Sequence, residues 1–546
     1  MFKKPEPRTF ESCSTDSSGE NVQKVDESHI LQDRRIGVFG AVSLIVNKIV
    51  GAGIFSTPAS IFKLSGSPGM ALILWVIAGA ISTCGALVML EFGSIIPRSG
   101  GMKLYLERSF SPKLMMTCIY LFYCVFLRES LPDACCDNQN GVLMKVEVSA
   151  SNAITCASYL LKAAGVESTT WKLRGLAIAA TAFAVGMHTV APRIGRYVQD
   201  MMSAVKLFIL LFIVCTGFAA LGGHLNIPNP HNFDLSTSFQ GTSNNGYNIG
   251  TALLDAIFSF HGYDNLNMVL SEVKNPQRTL KIAIPTAMGS ITVLYLLANI
   301  AYFAGVSREE FLASDLTIAA SLFRNVFGAS AATKALPALV AISAIGHLLG
   351  IAFTVLYFEG VVLTDMTARV IQELAKDGIM PFPNILMQNR PFKTPIWALA
   401  IHLGVTVLFI CAPPAGDAFD FVVGLNSYPT VLLLAAVTAG LMKLRLSKSE
   451  DLNSGFKAPW AVLAFYLAGS IFLLVMPFVP PPNGKGSTSL PYYLSPVVAL
   501  AILSLGIIYY VGRFVLLPWI FNYRLELKAI ELSDGSQVSR YKMIRN

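Results

Sequence analysis

The sequence predicts an all-α polytopic membrane protein of twelve transmembrane helices, and three observations predict it. The 546 residues are 53% hydrophobic and only 14% charged, with a mean hydropathy of +0.57. Apolar runs long enough to cross a bilayer core, about 20 residues each, recur along the whole chain. Helix-breaking glycines fall inside the first and sixth of these runs, the pattern of a five-plus-five inverted repeat with broken helices 1 and 6.

The elements follow in order. Residues 1–35 are polar and contain no apolar core of signal-peptide length, so they read as a cytoplasmic tail, and the first span does its own targeting. Spans are expected near 37–62, 69–95, 114–161 with an interruption, 173–190 and 198–221. A second set of five is expected near 246–270, 282–305, 336–360, 395–412 and 419–441. Two more, near 458–479 and 493–512, form an appendage, which gives a membrane domain over 36–520 and a cytoplasmic tail over 521–546.

An even number of crossings puts both termini on one side. With the amino-terminal tail in the cytoplasm, 29 of the 41 Lys and Arg fall in cytoplasmic segments and 8 in external ones; Lys48, Arg128, Lys145 and Lys206 are the remainder. That bias places both termini in the cytoplasm. It also explains the net charge of +8, because the basic residues are scattered among loops and form no aromatic-interleaved patch for nucleic acid. The nine cysteines lie mostly inside apolar segments and show no disulfide framework or zinc spacing. No nucleophile, base and orienting group stand at a motif spacing, and no metal-ligand cluster is present, so neither enzyme activity nor a cofactor is expected.

The breaks carry the chemistry. Val50 to Pro58 reads VGAGIFSTP, and Ser259 to Asn265 reads SFHGYDN. Unwinding a helix in hydrocarbon leaves amides and carbonyls unpaired at several kcal/mol per group, so it persists where something polar satisfies them. The free N–H groups that open the outer half of helix 1, aided by its dipole, suit a carboxylate, and Gly51 and Gly53 leave room for close approach. The carbonyls at FSFHGY, read as ending the inner half of helix 6, suit an ammonium group. A carboxylate beside an ammonium describes an α-amino acid. The competing reading makes Gly51 and Gly53 a small-residue packing face, and makes His261 a cap on its break that touches no substrate. His261 is also a proton-sensing candidate by its ordinary pKa of about 6.5.

Five segments, VGAGIFSTP, LEFGSIIPRSGGMKLYLERSF (90–110), RIGRYVQDMMSAVKLFILL (193–211), FSFHGYDNLNMVLSEVKNPQRTL (258–280) and ARVIQELAKDGIMPF (368–382), resemble in order the amino acid/polyamine/organocation superfamily. Within it the chain is similar to the L-type amino acid transporter family, in particular to its fungal methionine permeases, from about residue 36 to 520. The resemblance implies alternating-access uptake of neutral amino acids, methionine first, across the plasma membrane, with protons as coupling ion. It maps carboxylate-binding amides to Gly51, Ala52, Gly53 and Ile54, and ammonium-binding carbonyls to Phe258, Ser259 and His261, with Phe258 at the aromatic gate. Lys206 falls where related carriers place an amine in the space of a sodium ion. An intramembrane lysine is costly, and its alternative is snorkelling to the cytoplasmic face; Lys48 poses the same choice. A broad-range exchanger and a non-transporting sensor are the alternative functions. A sensor is expected to have long signalling tails, and these are only about 35 and 30 residues. No filter or ring of like charges suggests a channel.

Two departures from the family follow. The loop AAGVESTTWKLR (163–174) lacks the cysteine through which animal L-type carriers join a heavy chain, so no disulfide-linked heavy chain is expected. Helix 3 is interrupted between 114–127 and 149–161 by RESLPDACCDNQNGVLMKVEV (128–148), which brings six charges and a proline. Each flank is shorter than a span. Its 21 residues correspond to about 63 nucleotides, the size of a small intron translated in frame. Helix 8 shows a milder excess at 355–367. The alternative for both is a genuine insert.

Overall fold

The computed structural model describes, in the main, residues 36–123, 150–345, 396–447, 455–481 and 489–545, apart from short stretches such as 329–336 and single positions such as Ala52. The tail 1–35 and the segments 128–148 and 355–367 lie outside the described residues.

The first span is two helices. α1 (Val38–Ile49) ends where Val50 turns extended, at φ −72° and ψ 93°, and α2 (Gly53–Ser65) resumes the path. The next helix, α3 (Pro68–Ile95), starts sharply because Ser67 accepts a hydrogen bond from the Met70 amide and Pro68 presets φ in the first turn. After the short α4 (Met102–Ser109), the third span appears in the two expected pieces, α5 (Lys113–Phe122) and α6 (Ala150–Ala164). α7 (Thr170–Val190) and α8 (Pro192–Leu221) complete the first five spans.

The second set opens with α9 (Gly246–Ser259), capped by Asn245, whose side-chain oxygen accepts from the Tyr247 amide at 3.1 Å. The helix stops before Gly262, whose φ of +121° is strained for any residue with a Cβ. A 3-10 turn, Tyr263–Met268, follows. α10 (Pro276–Gly305) is the seventh span, and α11 (Arg308–Ala313) and α12 (Ile318–Phe327) lie in the loop after it. Of the eighth span only 337–345 is described, in the main as helix. α13 (Ile396–Cys411), α14 (Ala418–Leu446), α15 (Trp460–Val475) and α16 (Leu494–Tyr510) are spans nine to twelve.

Packing reflects the repeat. α1 packs on α10, the seventh span, as α9 packs on α3, the second, and α3 and α10 pack on each other. The two half-helices α2 and α9 pair, while α1 lies against the 3-10 turn. An aromatic cluster backs this junction: Trp75 meets Phe260 and Tyr295 edge-on, with centroids 5.9 and 5.8 Å away.

A small hairpin is appended beyond the helical membrane portion. α16 continues through a π turn (Val511–Leu516) and α17 (Leu517–Phe521) into an antiparallel hairpin, β1 (Tyr523–Glu531) and β2 (Gln537–Arg545), in which Tyr523 pairs with Arg545. Alternation in a short polar tail is a weak signal against a strongly apolar chain, which is why the hairpin is not evident from the sequence.

A buried ion pair ties the end of α14 to α3. Glu91 on α3 is fully buried; it accepts from Arg445 Nε at 2.9 Å, from Arg445 Nη2, and from the Ala458 amide at 2.8 Å. Arg445 Nη2 also donates to the Ala458 carbonyl at 2.7 Å, and its guanidinium lies over Trp460. The two charges therefore hold both backbone polar groups of one residue, Ala458, and each faces the other and a backbone partner in a buried environment.

Candidate functional site

The helix 1 break exposes backbone groups, and tyrosines on two other helices meet several of them. Tyr295 donates to the Ile49 carbonyl, the last of α1, at 2.8 Å. Pro58 has no N–H to give the carbonyl four residues earlier, that of Ile54. Tyr302 supplies the missing donor at 3.3 Å. Tyr295 and Tyr302 stand seven residues apart on α10, hence on one face. From α6, Tyr159 donates to the Phe55 carbonyl at 3.0 Å, and Ser56 shares a 3.1 Å hydrogen bond with Thr155. These hydroxyls serve the carbonyls. The first-turn amides of α2, which no α-helix can pair internally, remain oriented along the positive end of its dipole.

Gly53 and Ser259 are brought together across the two breaks. A Cβ at Gly53 would stand 2.6 Å from Ser259 Oγ and 2.8 Å from Ser259 Cα. Thr57, one turn along α2, hydrogen-bonds Ser259 Oγ at 3.0 Å, and Ser60 donates to Asp255 at 2.8 Å. The bare α-carbon of Gly53 is thus used by a neighbouring helix, as the packing reading holds. Close helix approach also brings the α2 amides up to the carbonyls that end α9.

The remaining predicted residues are distributed as follows. Gly51 and Ile54 are buried, and Ala52 lies outside the described residues. Phe258 and Ser259 are buried in the last turn of α9, and half-buried His261 follows, its ring 5.9 Å from that of Phe258. The Phe258 carbonyl accepts from the His261 amide at 3.1 Å, which uses one of its two lone pairs. One expectation needs correcting. α9 runs up to the break and pairs with α2, so Phe258 and Ser259 end the half of helix 6 that adjoins the second half of helix 1; with the termini read as cytoplasmic that is the outer half, not the inner half.

Lys206 is only 4% exposed and Lys48 7%, so neither side chain extends to solvent. Their charges act on each other, and the aliphatic stem of Lys48 packs where a Cβ on Gly262 would stand. Lys206 thus lies within electrostatic range of a residue packed against the helix 6 break.

Sequence reasoning did not anticipate Tyr159, Tyr295 and Tyr302. The available signal was the seven-residue spacing on α10, but tyrosines at that spacing usually pack in a core. A narrow cavity lies behind the helix 6 break, bounded by α3, α14 and α15 and lined by Ser82, His261, Tyr263, Tyr466 and Ser470 among apolar neighbours.

Comparison with known proteins adds the following. The model of a family described as amino acid permease matches residues 36–136 and 137–503. The chain is 37% identical to the high-affinity methionine permease of Saccharomyces cerevisiae over 92% of its own length and 83% of the relative's. Identity to the low-affinity methionine permease of the same yeast is 29%, covering 93% and 88% of the two chains. Identity to the b(0,+)-type amino acid transporter 1 of Mus musculus is 28%, covering 82% and 83%.

Proposed function

This chain belongs to the amino acid permease family, and we propose that it imports neutral amino acids, methionine foremost, by alternating access in symport with protons. The observation that carries the reading is the Gly53–Ser259 contact, which sets the first amides of α2 beside the closing carbonyls of α9. An α-amino acid carries its carboxylate and ammonium on one carbon, so paired donors and acceptors from two adjoining helix ends match it. The assignment is then Gly51, Ala52, Gly53 and Ile54 to the carboxylate and Phe258, Ser259 and His261 to the ammonium and the gate. Methionine as substrate is supported by the 37% identity to a methionine permease. Uptake of radiolabelled methionine in permease-deficient yeast, with a competition panel of amino acids, tests this. Methionine uptake no higher than that of empty-vector cells refutes it.

Proton coupling rests on Lys206. An amine buried beside the junction takes the space where sodium-coupled relatives hold a cation and, unlike a metal ion, can bind and release a proton, so transport should survive replacement of sodium by choline. A protonophore should lower it, and Lys206→Ala should abolish accumulation against a gradient. Sodium-dependent uptake, or wild-type accumulation by the alanine variant, refutes the assignment. The Lys and Arg bias supports cytoplasmic termini. A disulfide-linked heavy chain is not part of the proposal, since the loop 163–174 has no cysteine.

We also propose that the functional protein lacks residues 128–148. Charges at the bilayer centre cost at least about 2.5 to 3.5 kcal/mol each, and Arg128, Glu129, Asp133 and Asp137 stand where α5 should run into α6. The two matched family segments meet at residues 136 and 137, inside this stretch. Deleting it joins 114–127 to 149–161 as one helix, and surface expression should rise. Transcripts that uniformly encode the segment, with full-length protein transporting as well as the deletion, count against it.

A further inference from the structure

We infer that the cavity behind the helix 6 break is a binding site for a single internal water, held by Ser82, Tyr263 and Tyr466. α3, the break and α15 build it together. On α3, Gly85 is cut away so that both tyrosines can enter: a Cβ there would stand 2.5 Å from Tyr263 Oη and 2.7 Å from a ring carbon of Tyr466. Ser82, three residues earlier on the same face, lines the cavity. Its hydroxyl is buried, the residue being 1% exposed, and has no hydrogen-bond partner among the described residues.

The other polar groups are partly engaged. The hydroxyls of Tyr263 and Tyr466 are 3.4 Å apart, at the long limit for an O–H···O bond. Ser470 donates to the Tyr466 carbonyl at 2.8 Å and so is already bonded. His261 borders the same space, and Ile81, Ile257, Val431, Leu434 and Leu473 close it.

The remaining space admits about one water molecule, too little for an amino acid side chain or a lipid tail. A buried hydroxyl without a partner is costly, and a water needs two to four polar contacts to be held. Ser82 and the two tyrosine hydroxyls supply three. The site also has a mechanical use: a water can turn among hydroxyls with no steric register, so the 3-10 turn that starts at Tyr263 can shift against α3 and α15 with its groups still bonded.

Radiolytic hydroxyl-radical labelling of the full-length protein, with H2(18)O mixing to time exchange, tests the inference. Radicals form from the water itself, so a buried side chain is labelled only where water sits beside it. Tyr263 and Tyr466 are at most 3% exposed, yet they should label about tenfold faster than Tyr302, which is also buried and does not line this cavity. Their 18O incorporation should lag behind that of surface residues. Ser82→Val removes the hydroxyl that holds the water and should remove the excess labelling, whereas Ser82→Thr, of the same shape but with the hydroxyl kept, should retain it. Labelling of Tyr263 and Tyr466 no faster than that of Tyr302 in the wild type overturns the inference without recourse to any variant. Unchanged labelling in a folded Ser82→Val overturns it as well.

Discussion

Uptake collapses, by about two orders of magnitude or more, when Gly53 is replaced by valine. The first atom of any side chain at this position would stand 2.8 Å from Ser259 Cα and 2.6 Å from its hydroxyl. Two backbones cannot yield as a flexible side chain can, so α2 and α9 must separate. Separation pulls the α2 amides away from the α9 carbonyls, and a misplacement of about 1 Å at a recognition site is enough for a hundredfold loss. Gly53→Ala should be impaired less, and Ser259→Gly should restore it only in part, because the contact with Ser259 Cα remains. The measurement is uptake kinetics normalised to protein at the cell surface. Wild-type kinetics in Gly53→Val remove Gly53 from the site.

Loss of Glu91 is expected to be the most damaging single change to stability. Glu91→Ala leaves the Arg445 guanidinium, only 10% exposed, without its counter-charge, and leaves the Ala458 amide without its acceptor. Breaking one half of a buried pair costs about 3 to 5 kcal/mol, whereas replacing both halves by apolar groups is often neutral or stabilising. Thermal melting of the purified protein in detergent should therefore rank Glu91→Met and Arg445→Met well below wild type, with the double variant above either single one. A double variant no better than the worse single would show that the pair is not the source of the stability.

Much of the fold is legible in the sequence because bilayer thickness converts composition directly into spans. The breaks are legible for the same reason: Gly51, Gly53 and Gly262 stand out where any helix-breaker is costly. Which partners satisfy a break is a tertiary fact. Nothing local to Tyr295 or Tyr302 distinguishes it from a core aromatic until α10 is known to face helix 1. Gly53 illustrates the same limit: the sequence marks the need for a small residue, and only the packing identifies Ser259 as the neighbour that requires it. With the termini read as cytoplasmic, an even-numbered span runs inward, and which half of helix 6 ends at Ser259 follows from that direction. The hairpin at 523–545 follows from no membrane rule, and bilayer arithmetic is silent on it.

The two hydroxyls that grip the first turn of α2 do so at consecutive carbonyls, Tyr302 from the seventh span at Ile54 and Tyr159 from the third at Phe55. The rest of the half-helix is held as well: Thr57 and Ser60 bond to Ser259 and Asp255 on α9, and the Ser65 carbonyl accepts from the Ser243 amide at 2.8 Å in the loop before α9. With no free end, α2 and α9 form one stiff pair, and any displacement of the first carries the second with it.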